Sequence, residues 1–89
     1  MGRVLRQTPQ LEVHEVPDGY IVYQSHQDKV SYLNKTAALV FEFCDGKLND
    51  LDIIGRIARI YDLSAEGQDK IKGCIESLLR EGLLESPSR

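Results

Sequence analysis

Two short polar turns near the start of this sequence limit what the chain can fold into. Pro17-Asp18-Gly19 is typical of a tight turn, because proline presets φ and glycine accepts a positive φ. A second polar turn follows at residues 25–28. Because both connections are short, they predict an antiparallel meander whose second strand is central and whose third strand is an edge. The first of its three strands is predicted at residues 11–16, where apolar and polar residues alternate imperfectly. The second is the β-branched and aromatic segment Tyr20–Tyr23, and the third is Val30–Leu33.

Three helices are predicted after the meander. The first, at 35–44, is almost wholly apolar and should be buried on most sides, with Gly46 suited to a left-handed C-cap position. In the second and third, apolar residues recur at helical spacing, and Gly82 stops the third. Each helix follows a polar residue that suits its N-cap: Asn34, then Asn49 or Asp50, then Ser64.

The element order predicts one α+β domain, in which a three-stranded antiparallel meander is followed by three helices in a winged-helix-like arrangement. At 89 residues the chain is long enough for a single thin core. We expect a flexible N-terminal tail at residues 1–9, the folded domain at 10–85 and a C-terminal tail at 86–89.

Charge and composition exclude several classes of function. The net charge of −3 disfavours binding to nucleic acid or to an anionic membrane. The longest uncharged apolar run is Thr36–Phe41, which is too short to span a bilayer, and no apolar segment of a secretory signal follows Arg3 and Arg6. We therefore expect a cytoplasmic protein with reduced cysteines.

Catalytic and metal-binding patterns are weak. The candidate ligands and nucleophiles are His14, His26, Cys44 and Cys74, and they do not have the spacing of a zinc site or a nucleophile motif. Both cysteines fall on apolar helix faces, where a thiol acts as a small hydrophobe. The glycines do not form a phosphate-binding loop. We expect no enzymatic activity, no catalytic residues, no metal and no cofactor.

A winged-helix shape makes a small DNA-binding regulator the main alternative. The third helix would read the groove, but it carries three basic and four acidic residues between Ser64 and Glu81. A groove-reading helix should be cationic, so this alternative is disfavoured. A salt titration against random duplex DNA would detect it.

Two features favour peptide binding. The edge strand Val30–Leu33 has no proline to block pairing, and unpaired edges recruit other strands. Gly67 and Gly73 lie inside the third helix, where each costs about 1 kcal/mol relative to alanine. Either they are tolerated at exposed positions, or their small size leaves room for a neighbouring backbone. An open edge beside such a helix predicts a groove for an extended peptide. Pairing of two edges in a homodimer is the competing explanation.

Residues 32–46, YLNKTAALVFEFCDG, closely resemble the helix-opening signature of PqqD-like proteins, L-N-x-T-A-x-x-(I/V)-(aromatic)-x-x-x-D-G. Residues 71–84, IKGCIESLLREGLL, are similar to the closing helix of that family, and the likeness covers about residues 10 to 85. Cys74 replaces a bulky apolar residue common in the family, which would enlarge the pocket, and Lys35 stands where proline is frequent.

The resemblance implies a non-catalytic recognition element for ribosomally made, modified peptides. Such a domain holds the leader segment of a precursor peptide as an added strand between the third strand and the third helix. It presents the peptide to a modifying enzyme, often a radical S-adenosylmethionine enzyme. We expect Lys29 and Lys70 to attract an acidic leader. The predicted peptide-binding residues are Lys29, Val30, Ser31, Tyr32, Leu33, Gly67, Lys70, Ile71, Cys74 and Leu78.

Overall fold

The computed structural model describes residues 2–87, apart from the side chain of His26. Within this range the predicted α+β class, the meander and the three helices are all confirmed. A single 3-10 turn, Ser25–Gln27, connects the second and third strands of the meander. The elements are β1 (Val4–Gln7), β2 (Leu11–Val16), β3 (Gly19–Gln24), β4 (Lys29–Asn34), α1 (Lys35–Phe43), β5 (Asp45–Asn49), α2 (Asp50–Tyr61), α3 (Ala65–Arg80) and β6 (Leu84–Glu85).

The meander pairs in the order β2-β3-β4, with β3 central and β4 at an edge. Val16 pairs with Gly19 across the tight turn, and Gly19 pairs with Asn34 on its other side. Gly19 has a φ of +150°, and a Cβ atom placed there would lie 1.8 Å from the Leu33 carbonyl oxygen. Only glycine allows β4 to approach β3 this closely at the turn.

The predicted N-caps are confirmed for all three helices. Asn34 accepts a hydrogen bond from the Ala37 N–H at 2.9 Å. Asn49, rather than Asp50, caps α2, and its side chain exchanges hydrogen bonds with Asp52 in a capping box. Ser64 accepts a hydrogen bond from the Gly67 N–H. These caps fix where each helix begins and therefore which side chains face the sheet.

The predicted flexible tail at residues 1–9 is wrong for Val4–Gln7. These residues form β1, the central strand of a second sheet of order β5-β1-β6, and Leu5 is completely buried. Arg3 and Arg6 form ion pairs with carboxylates of α2, α3 and β6. A strand with one fully buried residue leaves almost no periodicity in the sequence, so pattern analysis missed it. Of the predicted C-terminal tail, residues 88 and 89 lie outside the described range.

The chain after α1 also differs from the prediction. α1 ends with Cys44 in the C-cap position, and Gly46, predicted to be the left-handed cap, lies inside β5. Its φ of +87° fits the left-handed preference that the sequence indicated. The residue therefore has the expected backbone conformation but belongs to a strand rather than to a helix end.

One core joins the two sheets to the helices. Phe41, Ile53, Ile57 and Ile75 are among its largest members, and Leu83 closes it after α3. Burial raises the pKa of the Cys44 thiol to about 12, and the neighbouring Asp45 adds to the shift. Cys44 is thus a neutral core residue, as predicted. Among the described residues no helix is both long and apolar enough to cross a membrane.

Candidate functional site

A groove runs between β4 and the C-terminal half of α3, with a volume of about 380 Å³. Residues Lys29–Leu33 of β4 form one wall, and Ala37 and Leu83 contribute from α1 and the segment after α3. The α3 wall consists of residues at helical spacing, namely Cys74, Ser77, Leu78 and Glu81. We refer to this site as the groove.

The backbone of β4 is available along the open side of the groove. The Leu33 carbonyl points at Gly19 of β3, as the close approach at that glycine requires. Neighbouring residues of a strand direct their N–H and C=O groups to opposite sides, so Val30 and Tyr32 direct theirs away from β3. No described strand pairs with β4 on that side. The groove thus has one wall with unpaired main-chain donors and acceptors.

Several of the residues that line the groove have small side chains. Cys74 and Ser77 stand on the α3 wall, and Ala37 lies at the start of α1. Burial raises the pKa of the Cys74 thiol above its ordinary value, so this thiol stays neutral and presents a weakly polar surface. The arrangement suits an apolar side chain inserted from an adjacent extended backbone.

Ser31 places a buried polar atom in the β4 wall of the groove. Its hydroxyl oxygen is buried and has no hydrogen-bond partner among the described residues. An unsatisfied buried hydroxyl costs about 1–3 kcal/mol.

An ion pair closes one end of the groove. The Lys29 ammonium lies 2.8 Å from a carboxylate oxygen of Glu81, so the start of β4 is tied to the end of α3. The hydrogen bond from Lys29 holds the pKa of Glu81 below its usual range. Lys29 is predicted to attract an acidic leader, and in the structure it has an acidic partner in Glu81.

Comparison with known proteins identifies the family. The model for "Coenzyme PQQ synthesis protein D (PqqD)" matches residues 19–84, which include β3, β4 and all three helices. The chain belongs to the PqqD family. The predicted resemblance is therefore confirmed, and the matched region includes every residue that lines the groove.

This PqqD-family chain is similar to a curated protein that is named for binding PqqA. It is 40% identical over 50 residues to the PqqA binding protein of Methylococcus capsulatus, an alignment that covers 56% of this chain and 53% of that protein. The chain thus matches about half the length of this curated relative.

Two solved structures share the fold. TbiB1 in complex with the TbiA(beta) leader peptide has a TM-score of 0.76 at 10% identity, covering 94% of this chain and 99% of TbiB1. Lasso peptide synthetase B1 complexed with its leader peptide has a TM-score of 0.76 at 19% identity, covering 92% and 98% of the two chains. At these identities the likeness establishes the fold of the PqqD-family chain.

The structure brings seven of the ten predicted site residues together in the groove: Lys29, Val30, Ser31, Tyr32, Leu33, Cys74 and Leu78. The other three, Gly67, Lys70 and Ile71, line a separate cavity near the N-terminal end of α3. A helical wheel shows which side of a helix faces a neighbour, but it does not show how far along the helix the neighbouring strand extends.

The two glycines of α3 have different surroundings. A Cβ atom at Gly67 would lie 3.1 Å from the Cβ of Leu63, so this glycine makes room for the chain's own preceding loop. Gly73 has open space around its Cα, so it is simply tolerated on the exposed side of α3. At Gly67 the nearest atoms thus belong to the Leu63 side chain, and the role of these glycines in leaving room for another backbone stays a prediction.

Four residues of the groove were not predicted: Ala37, Ser77, Glu81 and Leu83. Ser77 and Glu81 lie three and seven positions after Cys74, so helical spacing from Cys74 was the signal that would have found them. Ala37 and Leu83 reach the groove through tertiary packing, which leaves no local pattern.

The residues considered for catalysis and metal binding form no group of three in the described part of the chain. The side chain of His14 is 64% exposed on β2, with Glu12 at 4.0 Å. The side chain of His26 lies outside the described part of the chain. Within that part, no three His, Cys, Asp or Glu side chains are close enough to share a metal ion.

Proposed function

We propose that this PqqD-family chain binds the leader segment of a ribosomally made precursor peptide by strand addition to β4. The protein has no catalytic role of its own in this proposal. It presents the peptide to a modifying enzyme, for which the family resemblance implies the radical S-adenosylmethionine class. The observation that carries the proposal is the unpaired backbone of Val30 and Tyr32 beside the groove.

The comparisons support a peptide as the occupant. One relative is named for binding PqqA, and two proteins of the same fold were solved with leader peptides. The open edge of β4 and the wall of α3 offer what an added strand requires, which is main-chain partners on one side and side-chain pockets on the other.

The energetics are adequate for reversible binding. Each main-chain hydrogen bond that Val30 and Tyr32 gain contributes roughly 1 kcal/mol net. Each apolar side chain buried in the groove contributes about 1.5–3 kcal/mol. Ordering a disordered peptide costs about 2–5 kcal/mol or more, and association costs more still. We therefore expect a dissociation constant in the micromolar to sub-micromolar range.

The test uses a matched pair of proline substitutions and a synthetic PqqA peptide of Methylococcus capsulatus as the probe. Val30→Pro removes an outward N–H from the β4 edge. By the same alternation, Val13 of β2 directs its N–H away from β3, so Val13→Pro removes an outward N–H from the opposite edge of the same sheet. Binding is followed by fluorescence anisotropy and folding by the dispersion of the amide NMR spectrum.

We expect Val30→Pro to weaken peptide binding at least fivefold, the equivalent of one lost hydrogen bond of about 1 kcal/mol, and Val13→Pro to leave it unchanged. Equal affinity of both variants and the wild type would contradict strand addition to β4. Sedimentation velocity checks the competing occupant, a second copy of the chain. A dimer that persists in the presence of excess peptide would also contradict the proposal.

A further inference from the structure

A second cavity is lined by residues that neighbour those of the groove, near the end of β4. It has a volume of about 630 Å³ and lies between the first turn of α1 and the N-terminal half of α3. Thr36 lines this cavity and the next residue, Ala37, lines the groove. On α3, Ile71 lines this cavity and Cys74, three positions later, lines the groove. We call this cavity the lysine compartment, because Lys35 and Lys70 belong to its lining.

The lysine compartment combines an apolar surface with two cations. Tyr61, Leu63 and Ile71 supply the apolar part. Among the described residues no carboxylate lies within 4.0 Å of the ammonium groups of Lys35 and Lys70. Glu66 stands four positions before Lys70 on α3, yet it does not form this ion pair in the structure.

The position of Lys35 is unfavourable for the isolated protein. Lys35 is the first residue of α1, where the helix dipole disfavours a cation, and the first turn of α1 contains no acidic residue. The other two helices have acidic residues in their first turns, namely Asp50 and Asp52 in α2 and Glu66 in α3. A carboxylate supplied from outside would interact favourably with Lys35, with Lys70 and with the α1 terminus.

The direction of β4 determines which part of a peptide reaches this compartment. β4 runs from the Lys29–Glu81 ion pair toward Lys35. A strand added antiparallel, like each strand pair among the described residues, begins at the lysine compartment and ends at that ion pair. The residues N-terminal to the added strand therefore come next to Lys35 and Lys70.

Building on the proposed function, we propose that the lysine compartment binds the peptide segment immediately N-terminal to the β4-paired strand, and that this segment carries an apolar residue and at least one carboxylate. The apolar residue contacts Leu63 and Ile71. The carboxylate lies between Lys35 and Lys70. The groove and the compartment thus recognise one peptide at two places, and the charge sets its direction.

The test is a selection from a random-peptide library displayed on mRNA, with the full chain as the immobilised target. We expect enriched peptides to have alternating apolar residues preceded on the N-terminal side by Asp or Glu. Enrichment of alternating apolar residues without acidic residues, or with them only on the C-terminal side, would overturn this inference but leave strand addition standing. Failure to enrich any peptide would overturn both.

Two charge-reversal variants of α3 test whether the lysine compartment itself attracts the acidic peptide. Lys70→Glu changes the compartment, whereas Lys72→Glu makes the same change at an exposed position of α3 that lines neither cavity. We expect Lys70→Glu to weaken binding of the best acidic peptide by roughly fivefold or more, the upper end for one exposed ion pair, and Lys72→Glu to leave it within twofold. Equal weakening by both variants would mean that net charge, and not the compartment, attracts the peptide.

Discussion

The Lys29 ammonium and the Glu81 carboxylate lie 2.8 Å apart and connect the first residue of β4 to the C-cap of α3. The Lys29 ammonium is also 3.5 Å from the Glu81 carbonyl oxygen, and the buried Gln24 side chain donates to that same oxygen. Three groups from β3, β4 and α3 therefore meet at one end of the groove. This arrangement fixes the separation between the strand edge and the helix wall that a peptide would occupy.

The pKa of Glu81 reports on this ion pair. Because Lys29 stabilises the charged carboxylate, the pKa of Glu81 in the folded protein is lower than in the unfolded chain. Its contribution to stability is therefore present above the unfolded pKa and is lost as the pH falls through the folded pKa. We expect Lys29→Met to return the pKa of Glu81 toward its ordinary value, as measured by NMR titration of side-chain carboxyl carbons.

Asp45 provides an internal control in the same titration. Its pKa is also lowered, but the main cause is a hydrogen bond from the Lys47 backbone N–H, which Lys29 does not contact. We expect Asp45 to titrate identically in the wild type and in Lys29→Met. An unchanged pKa of Glu81 in that variant would show that the ion pair does not persist in solution.

Filling the groove from the α3 wall should block peptide binding without unfolding the protein. Cys74→Arg places a long charged side chain among the small residues of that wall, whereas Gly73→Arg makes the same charge increment one residue earlier in open space. We expect Cys74→Arg to abolish detectable anisotropy change with the PqqA peptide. Gly73→Arg should bind normally and gain up to about 1 kcal/mol of stability from helix propensity.

Thermal unfolding of the two arginine variants separates blocking from unfolding. A Cys74→Arg protein that still binds the peptide would place the peptide elsewhere. A Cys74→Arg protein that is unfolded at room temperature would show that this half-buried side chain belongs to the core.

Local signals account for what the sequence predicted correctly. A turn or a helix cap depends only on residues close by in the sequence, so each can be predicted from a short segment. This holds for the turn at Pro17-Asp18-Gly19 and for the caps Asn34, Asn49 and Ser64. Cys74 and Leu78 were identified because a helical face is periodic. The extent of β4 along α3 depends on contacts between distant residues, such as Lys29 with Glu81, and no local pattern encodes it.

β1 was not predicted for the same reason, because it depends on contacts with residues that are distant in the sequence. Its pairing partners, β5 and β6, lie about 40 and 80 residues further along the chain, and neither has a strong strand pattern of its own. The strand forms because Leu5 fills the core and because Arg3 and Arg6 reach acidic partners. Polar residues dominate the segment, and composition alone therefore indicated a tail.

Truncating Leu5 tests whether β1 is part of the folded unit. Leu5 is fully buried, so Leu5→Ala should cost about 2–5 kcal/mol, a large share of the stability of so small a domain. The adjacent Val4 is 39% exposed, and Val4→Ala should cost less than about 1 kcal/mol. Urea denaturation followed by circular dichroism measures both, and equal stability of Leu5→Ala and the wild type would restore the interpretation of residues 1–9 as a tail.

Substitution of Lys35 should change the stability of the protein and its affinity for an acidic peptide in opposite directions. Replacing it by glutamate puts an anion in the first turn of α1, so Lys35→Glu should raise the free energy of unfolding by roughly 0.3–1 kcal/mol. The same change removes a cation from the lysine compartment and should weaken binding of an acidic peptide. Lys47→Glu, on β5 and outside both cavities, is the control with the same charge change. A Lys35→Glu protein that is more stable and binds acidic peptides as tightly as the wild type would confirm the helix effect and exclude Lys35 from recognition, because the two roles of this residue predict opposite signs.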